Sequence, residues 1–319
     1  MMKRRQFLIA VPATLLTAAG GAFIPLRVIA ADGGVQVTAA QRFKVGDMLV
    51  TALSDGFLPL DPALMSGVDA DGVKSLVERA HQDPADLHGS VNAYLVETGG
   101  ETWLIDAGAD GVFGPTLGGV VGVLNALGKD PASVTKLLIT HMHGDHIGGA
   151  LTDGAPTFPN AEMVVTEADV AFWTSDEIQA QAPEAFRGAF DLAKGVIAAY
   201  GDRVSQISGE AEAAPGITAR PLPGHTVGHT GYVLESGDDS LLVWGDMVVV
   251  PPVQLVKPDV TTIFDTDPEQ SVATRTETLA AVAESGQMVA GMHMPFPGIG
   301  YIDTADNGYA FTPALWQYL

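Results

Sequence analysis

Three of the chain's eight histidines fall within six positions, His141, His143 and His146, with Asp145 between them in the run HMHGDH. Imidazole and carboxylate are the ligands a borderline divalent cation prefers. Gly144 lets the backbone turn tightly enough for side chains so close in sequence to converge. Three more residues of these types stand apart: His225 in PGHTVGHT, Asp246 in LLVWGD and His293 in VAGMHM. The common plan is a short apolar strand that delivers a ligand at its tip. Alone, His225 or His293 reads as an ordinary core or surface histidine, and only the joint pattern makes them ligands. Five histidines and two aspartates then suffice for two metal ions. The chain has no cysteine, so any metal site is built from nitrogen and oxygen donors alone. His229 reads as structural. His81 and His88 lie in a polar stretch and read as solvated, although His88 precedes a strand near the presumed site. Asp106, in WLIDAGA, reads either as a turn aspartate or as a partner that orients a ligand by hydrogen bonding.

These ligands need elements to hold them. Residues 43–53 read as one strand with partial alternation, and 91–97 and 102–106 as a hairpin across Gly99-Gly100. The apolar strand 136–140 runs directly into the histidine run, and 162–166 is a further strand. Helices are expected over 167–174 and 183–200, then strands over 217–222, 231–234 and 240–244. A last helix is capped by Asp267, admits Pro268 in its first turn and stops at Gly286. Val272, Thr276, Leu279 and Ala283 share one face of it. Residues 287–291 return as a strand. No period of 20 to 50 residues marks a repeat array. Strands and helices in both halves predict an α/β chain of sheet packed on sheet with helices outside. No linker divides residues 31–319, which read as one domain. Residues 251–266 show no clear period and read as a pocket wall or a mobile loop.

Of 319 residues 47% are hydrophobic, enough for a large core and too many for a disordered chain. Sixteen basic residues against 38 acidic ones give a formal charge of −22. Residues 1–30 hold Lys3, Arg4, Arg5 and Arg27 and no acid, followed by small residues suited to cleavage. The run KRRQFL resembles a twin-arginine export signal, so the expected location is the periplasm. The competing reading is an uncleaved anchor, against which Pro12, Gly20 and Gly21 weigh. Cleavage leaves 12 basic residues against 38 acidic ones, a formal −26. Nucleic acid and anionic membrane surfaces are recruited by basic patches and are therefore excluded as partners.

The order HMHGDH, PGHT, GD and a late histidine resembles that of the metallo-β-lactamase-fold hydrolases. The resemblance implies a four-layer αββα sandwich of two related halves. It assigns His141, His143 and His225 to one metal and Asp145, His146 and His293 to a second, with Asp246 bridging. The runs TALSDG (51–56), FGPTLG (113–118), THMHGDHIGG, FPNA (158–161) and FPGIG (296–300) are similar to those of the methyl-parathion-hydrolase group and its lactonase and arylesterase-like relatives. That similarity implies a homodimer and an aromatic substrate pocket of Phe113, Trp173 and Phe186, residues that equally suit an ordinary core. Residues 251–266 depart from that group at PP, LVK and Phe264, which places differences of substrate preference there.

Two divalent ions that share a carboxylate also share a water and lower its pKa toward neutral. Zinc is the first expectation, with Mn, Fe or Co accepted by the same donors. The bridging hydroxide, flanked by Asp145 and Asp246, is then the nucleophile. A pocket without a basic clamp suits a small neutral substrate. The expected activity is therefore hydrolysis of lactones and aryl esters together with neutral organophosphate triesters. A phosphodiesterase or nuclease of the same fold is disfavoured by the acidic charge. A glutathione thioester hydrolase would want basic residues in 305–319, which has none. A diiron oxidoreductase would show itself by iron content and oxygen consumption.

Overall fold

The computed structural model describes residues 39–319, so the export signal read over residues 1–30 lies outside the described residues. Two seven-stranded sheets form the centre of the molecule. The first orders Ala40–Val45, Met48–Pro59, His88–Thr98, Glu101–Ile105, Lys136–Leu138, Glu162–Thr166 and Val204–Ile207. Its first four strands pair antiparallel and the remainder parallel. The second orders Ala211–Ala214, Ile217–Pro221, Thr230–Ser236, Asp239–Val243, Met288–Ala290, Ile299–Ala305 and Gly308–Pro313.

Alternation along the strands explains the layers. One face of each sheet supplies a shared apolar core, in which Val50, Tyr94, Ile105 and Leu138 meet Ile217, Tyr232, Val243 and Ile299. The opposite face of the first sheet is covered by helices Val120–Ala126, Glu167–Trp173 and Glu184–Tyr200. Leu279 and Val282 of helix Pro268–Ser285 cover Leu242, Trp244 and Val289 of the second. The result is the αββα sandwich. The strand Lys136–Leu138 has sheet neighbours on both sides and layers on both faces, which is why its sequence is apolar without alternation.

Three expectations are corrected. Residues 43–53 do not form one strand: Gly46, at φ +56°, makes a two-residue turn, and Ala40–Val45 folds back on Met48–Pro59. The final hairpin Ile299–Ala305 and Gly308–Pro313 went unread because its outer positions are exposed and carry no clean apolar pattern. The last helix starts and ends as expected, with Asp267 accepting from Gln270 N and Gly286 left-handed at its end. Its buried face, however, is Ser271, Thr274, Arg275, Thr278, Leu279 and Val282, and Thr276 is exposed. Apolar spacing put that face out by part of a turn because four of the six buried positions are polar. Residues 251–266 are well-packed and contain a short helix, Pro251–Gln254, and a two-residue strand, Thr261–Thr262. Among the described residues no helix is long and apolar enough to cross a membrane.

Candidate metal centre

The strand Lys136–Leu138 ends two residues before His141, and the chain then turns through His143 into the short helix Gly144–Ile147. This turn brings His141, Asp145 and His146 together, all buried, with His143 half-buried. His225 arrives from the turn after Ile217–Pro221, Asp246 from the end of Asp239–Val243, and His293 from the end of Met288–Ala290. All seven sequence-read ligands therefore converge where strands of both sheets end.

They form two groups that share one member. His141, His143, His225 and Asp246 bring one ligand atom each within 4.8 Å of one another, and so do Asp145, His146, Asp246 and His293. In the first group His143 Nδ1 lies 3.0 Å from both His141 Nε2 and His225 Nε2. Asp246 Oδ2 lies 3.7 Å from His141 Nε2 and 3.3 Å from His225 Nε2. A tetrahedral ion with ligands at about 2.0 to 2.1 Å sets them about 3.3 Å apart, which these separations match. In the second group His293 Nε2 lies 2.9 Å from Asp246 Oδ2 and 3.4 Å from Asp145 Oδ2. His146 Nε2 and Asp246 Oδ1 are fully buried without a hydrogen-bond partner, although 3.3 Å apart. Orphaned buried polar atoms are rare, and two that face each other within one donor group are explained by an ion between them. The donor set therefore fits a dinuclear divalent metal centre with Asp246 common to both positions.

Three of the histidine rings, those of His146, His225 and His293, are held from behind. Asp106 Oδ2 accepts from His146 Nδ1 at 2.7 Å, and Asp106 also accepts from the Thr140 amide and hydroxyl. Asp106 thus meets both the turn at Thr140 and the ring of His146. The Ser90 carbonyl lies 2.7 Å from His293 Nδ1, and Asp265 Oδ1 lies 3.0 Å from His225 Nδ1. The structural reading of His229 also holds: its ring bonds the Leu222 carbonyl and accepts from the Asp246 amide. Asp169 joins two ligand loops by accepting from the amides of Met142 and Gly228 and the Thr226 hydroxyl. Asp55 explains the TALSDG and FGPTLG runs, since it accepts from the amides of Ala109, Gly118 and Val120 and so fixes the loop that carries Phe113. Asp55, Asp169 and Asp265 were not legible as site residues. An aspartate bonded to distant main-chain amides looks in sequence like any turn aspartate.

Charge follows from the same geometry. Burial disfavours a proton on every histidine here and prevails at His143, lowered to about 3, and at His229, lowered to about 4. At His225 burial is outweighed by Asp246 and Asp265, which raise it to about 9. Burial likewise opposes charge on Asp246, but His146, His293 and His141 hold its carboxyl well below the usual range. The carboxylates thus demand positive charge beside them, which protons or divalent cations supply. Imidazole binds metal only when unprotonated, so protons compete at His225 from about pH 9 downward and occupancy should fall as pH drops below that value, while His143 stays free for metal. Metal analysis after equilibrium dialysis at pH 8 and pH 5 checks this. Unchanged occupancy at pH 5 would argue against histidine ligation.

The aromatic residues divide. Phe113 is half-buried against the ligand loop, where a Cβ added at Gly144 would fall 2.9 Å from its Cζ. Trp173 meets His143 edge-on at 5.2 Å between ring centroids. Phe186 lies half-buried near the start of Glu184–Tyr200, and the aromatic of that helix that packs on Trp173 is Phe190, at 4.8 Å. A cavity of about 230 Å³ opens beside His293, walled by Leu60, Leu87, Val250, Pro251 and Pro252, with the exposed His88 at its edge. His81 is exposed.

The family model of the metallo-beta-lactamase superfamily matches residues 87–285, most of the chain. The chain belongs to this superfamily. A crystal structure described as the hydrolase AbOPH of the beta lactamase superfamily is 32% identical with a TM-score of 0.82, the match covering 89% of this chain and all of that one. AidC, described as a dizinc quorum-quenching lactonase in complex with a product, has a TM-score of 0.82 at 21% identity over 88% of this chain and 99% of its own. The uncharacterized protein YobT of Bacillus subtilis (strain 168) is 31% identical over 144 residues, 45% of this chain. The match spans 56% of YobT's length. The chain thus has a metal-dependent hydrolase fold together with the donor residues for two metals.

Proposed function

We propose that the chain is a dinuclear metal-dependent hydrolase that opens lactones and aryl esters and also hydrolyses neutral organophosphate triesters. The observation that carries this reading is the pair of donor groups sharing Asp246. Zinc is the proposed metal, in keeping with the dizinc description of AidC. When bound, two such ions lower the pKa of a shared water and polarise a carbonyl or phosphoryl oxygen.

The chain's own residues supply the rest. Asp106, Asp265 and the Ser90 carbonyl fix the rings of His146, His225 and His293, so no ligand has to reorganise during turnover. Asp145 Oδ2, 3.4 Å from His293 Nε2, belongs to the carboxylate that the second group does not share with the first and would accept a proton from the attacking water. Phe113 and Trp173 exclude water on the side of His143. The cavity beside His293 combines apolar walls with Asp83, Asp86 and His88 and has no lysine or arginine in its lining, which suits a neutral acyl or leaving group over an anionic one. We also infer export as a folded protein through the twin-arginine-like signal, and assembly as a homodimer. Sequencing the mature N-terminus and light scattering test these two points.

The deciding experiment measures kcat/KM of the metal-loaded mature chain on dihydrocoumarin and on a neutral aryl dimethyl phosphotriester. The lactone should be turned over the faster, in keeping with the lactonase description of AidC. A faster phosphotriester would reverse the order of the two activities. Turnover of neither, with two metals bound, would overturn the proposal. Iron in the protein with oxygen uptake would replace it by a diiron oxidoreductase.

A further inference from the structure

We propose that Arg275 is a positioning residue for the metal centre. It clamps residues 247–265 so that the bridging Asp246 and the carboxylate behind His225 are held together. The inference rests on the dinuclear metal reading above and goes beyond it, since Arg275 touches no ligand.

Arg275 lies in helix Pro268–Ser285 and is 1% exposed. A guanidinium so deeply buried is costly unless its donors are met. Four hydrogen bonds meet four of its five donors. Nε donates to the Met247 carbonyl at 2.8 Å, immediately after Asp246 in the chain. Nη1 donates to the carbonyls of Pro258 and Val260 at 2.8 and 2.9 Å. Nη2 donates to Ser271 Oγ at 3.0 Å, and Ser271 Oγ donates in turn to Asp265 Oδ1 at 3.0 Å. That same Asp265 oxygen faces His225 Nδ1, while Asp265 Oδ2 accepts from the Thr262 amide at 2.8 Å.

Every acceptor on this path lies in residues 247–265 or is the hydroxyl that leads to it. The segment has few regular elements of its own: one turn of helix and a two-residue strand. Gln254, fully buried, supplies an internal tie by accepting from the amides of Val249 and Val250 and donating to the Val260 carbonyl. Arg275 supplies the external tie, to a rigid helix. Its planar fork serves acceptors in several directions at once, which a lysine ammonium on one flexible stem does not reproduce. A leucine would cover the same sheet at lower electrostatic cost. The polar choice is explained by what it holds: the main chain leaving Asp246 at one end and the partner of His225 at the other. The same segment carries Val250, Pro251 and Pro252 of the cavity wall, so the clamp also fixes pocket shape relative to the metals.

The test uses the full mature chain and cobalt(II) as probe. Wild type, Ser271→Ala, Arg275→Lys, Arg275→Met and Leu279→Ala are titrated with cobalt against a competing chelator. The visible spectrum of each cobalt form and the melting temperature of each metal-stripped chain are recorded. Partners outside the ligand shell commonly change affinity by about 10- to 100-fold, so Arg275→Met should bind cobalt about tenfold or more weakly with an altered spectrum. Ser271→Ala, which keeps the guanidinium, should shift the spectrum in the same sense with a smaller loss. Arg275→Lys should recover part of it. Leu279→Ala removes apolar packing from a core shared with Met247, Val248 and Leu255 but breaks none of these hydrogen bonds, so it should lower melting and leave cobalt binding unchanged.

If Arg275→Met fails to fold, Ser271→Ala and Arg275→Lys decide the matter. Wild-type cobalt affinity and spectrum in Ser271→Ala and Arg275→Lys, or an equal loss in Leu279→Ala, would overturn the proposal and leave Arg275 a residue of general stability. Failure of the parent reading is distinct: wild type itself would then take up fewer than two cobalt ions.

Discussion

Replacing Asp246 with asparagine should leave a chain that retains fewer than two metal ions and loses about a thousandfold or more in kcat/KM, the equivalent of the several kcal/mol that metal activation supplies. The expectation follows from what surrounds this one carboxylate. His293, His225 and His141 approach Oδ2 at 2.9, 3.3 and 3.7 Å, and His146 approaches Oδ1 at 3.3 Å. Its two oxygens therefore face members of both donor groups, and it is the only residue common to them. Asparagine keeps the shape but removes the charge and turns one oxygen into an NH2 group. One group is left with a neutral oxygen, and the other faces a donor where it needs an acceptor. The backbone is unaffected, because the His229 ring accepts from the amide of residue 246 whatever its side chain. Folding should accordingly survive, and circular dichroism provides the control. Metal content after dialysis and kcat/KM are the two readouts. Two ions retained with a rate within tenfold of wild type would remove Asp246 from the bridging role.

The site was more legible than the fold around it, for a physical reason. Metal chemistry restricts residue type severely, so HMHGDH, PGHT, GD and the late histidine stood out against a chain with eight histidines in all. Elements are signalled by periodicity, and that signal fails where burial is partial or where buried positions are polar. The hairpin at Gly46 hid within one apolar run, and helix Ala70–Arg79 was passed over although its cap and apolar face are regular. The case of helix Pro268–Ser285 is the most instructive. Its ends were marked by Asp267, Pro268 and Gly286, yet its inner face was misjudged because Ser271, Thr274 and Arg275 point inward. Those polar positions break the hydrophobic pattern because they bond neighbouring loops: Ser271 reaches Asp265, Thr274 the Pro223 carbonyl, and Arg275 the carbonyls of Met247, Pro258 and Val260. The supporting aspartates escaped for a related reason. Asp55, Asp169 and Asp265 act on main-chain amides or on one ring from 27 to 65 residues away in sequence, and no local spacing betrays such a role.

Asp106 allows support to be separated from ligation, because it touches His146 and no other ligand. Its residue has φ +58°, in the left-handed region that aspartate and asparagine tolerate better than most side chains. Its carboxylate receives three donors, the Thr140 amide, the Thr140 hydroxyl and His146 Nδ1. Asp106→Ala strands all three and forces alanine into a left-handed backbone. At about 1–3 kcal/mol for each orphaned buried group the loss of stability should be large. Asp106→Asn avoids most of that cost, since it accepts the backbone conformation and can still take the Thr140 amide. It cannot both accept from His146 Nδ1 and carry the charge that makes the opposite ring nitrogen a better donor to metal. Asp106→Asn should therefore melt close to wild type and bind the second metal about 10- to 100-fold more weakly. The site of His141, His143 and His225 should keep its affinity, since none of its rings contacts the substituted oxygen. Stepwise cobalt titration resolves the two positions and a thermal melt reports stability. If the asparagine variant takes up both ions with wild-type affinity, Asp106 serves only the turn that carries Thr140. If both affinities fall together, the two positions fill as one unit and the shared Asp246 couples them more tightly than separate groups would allow.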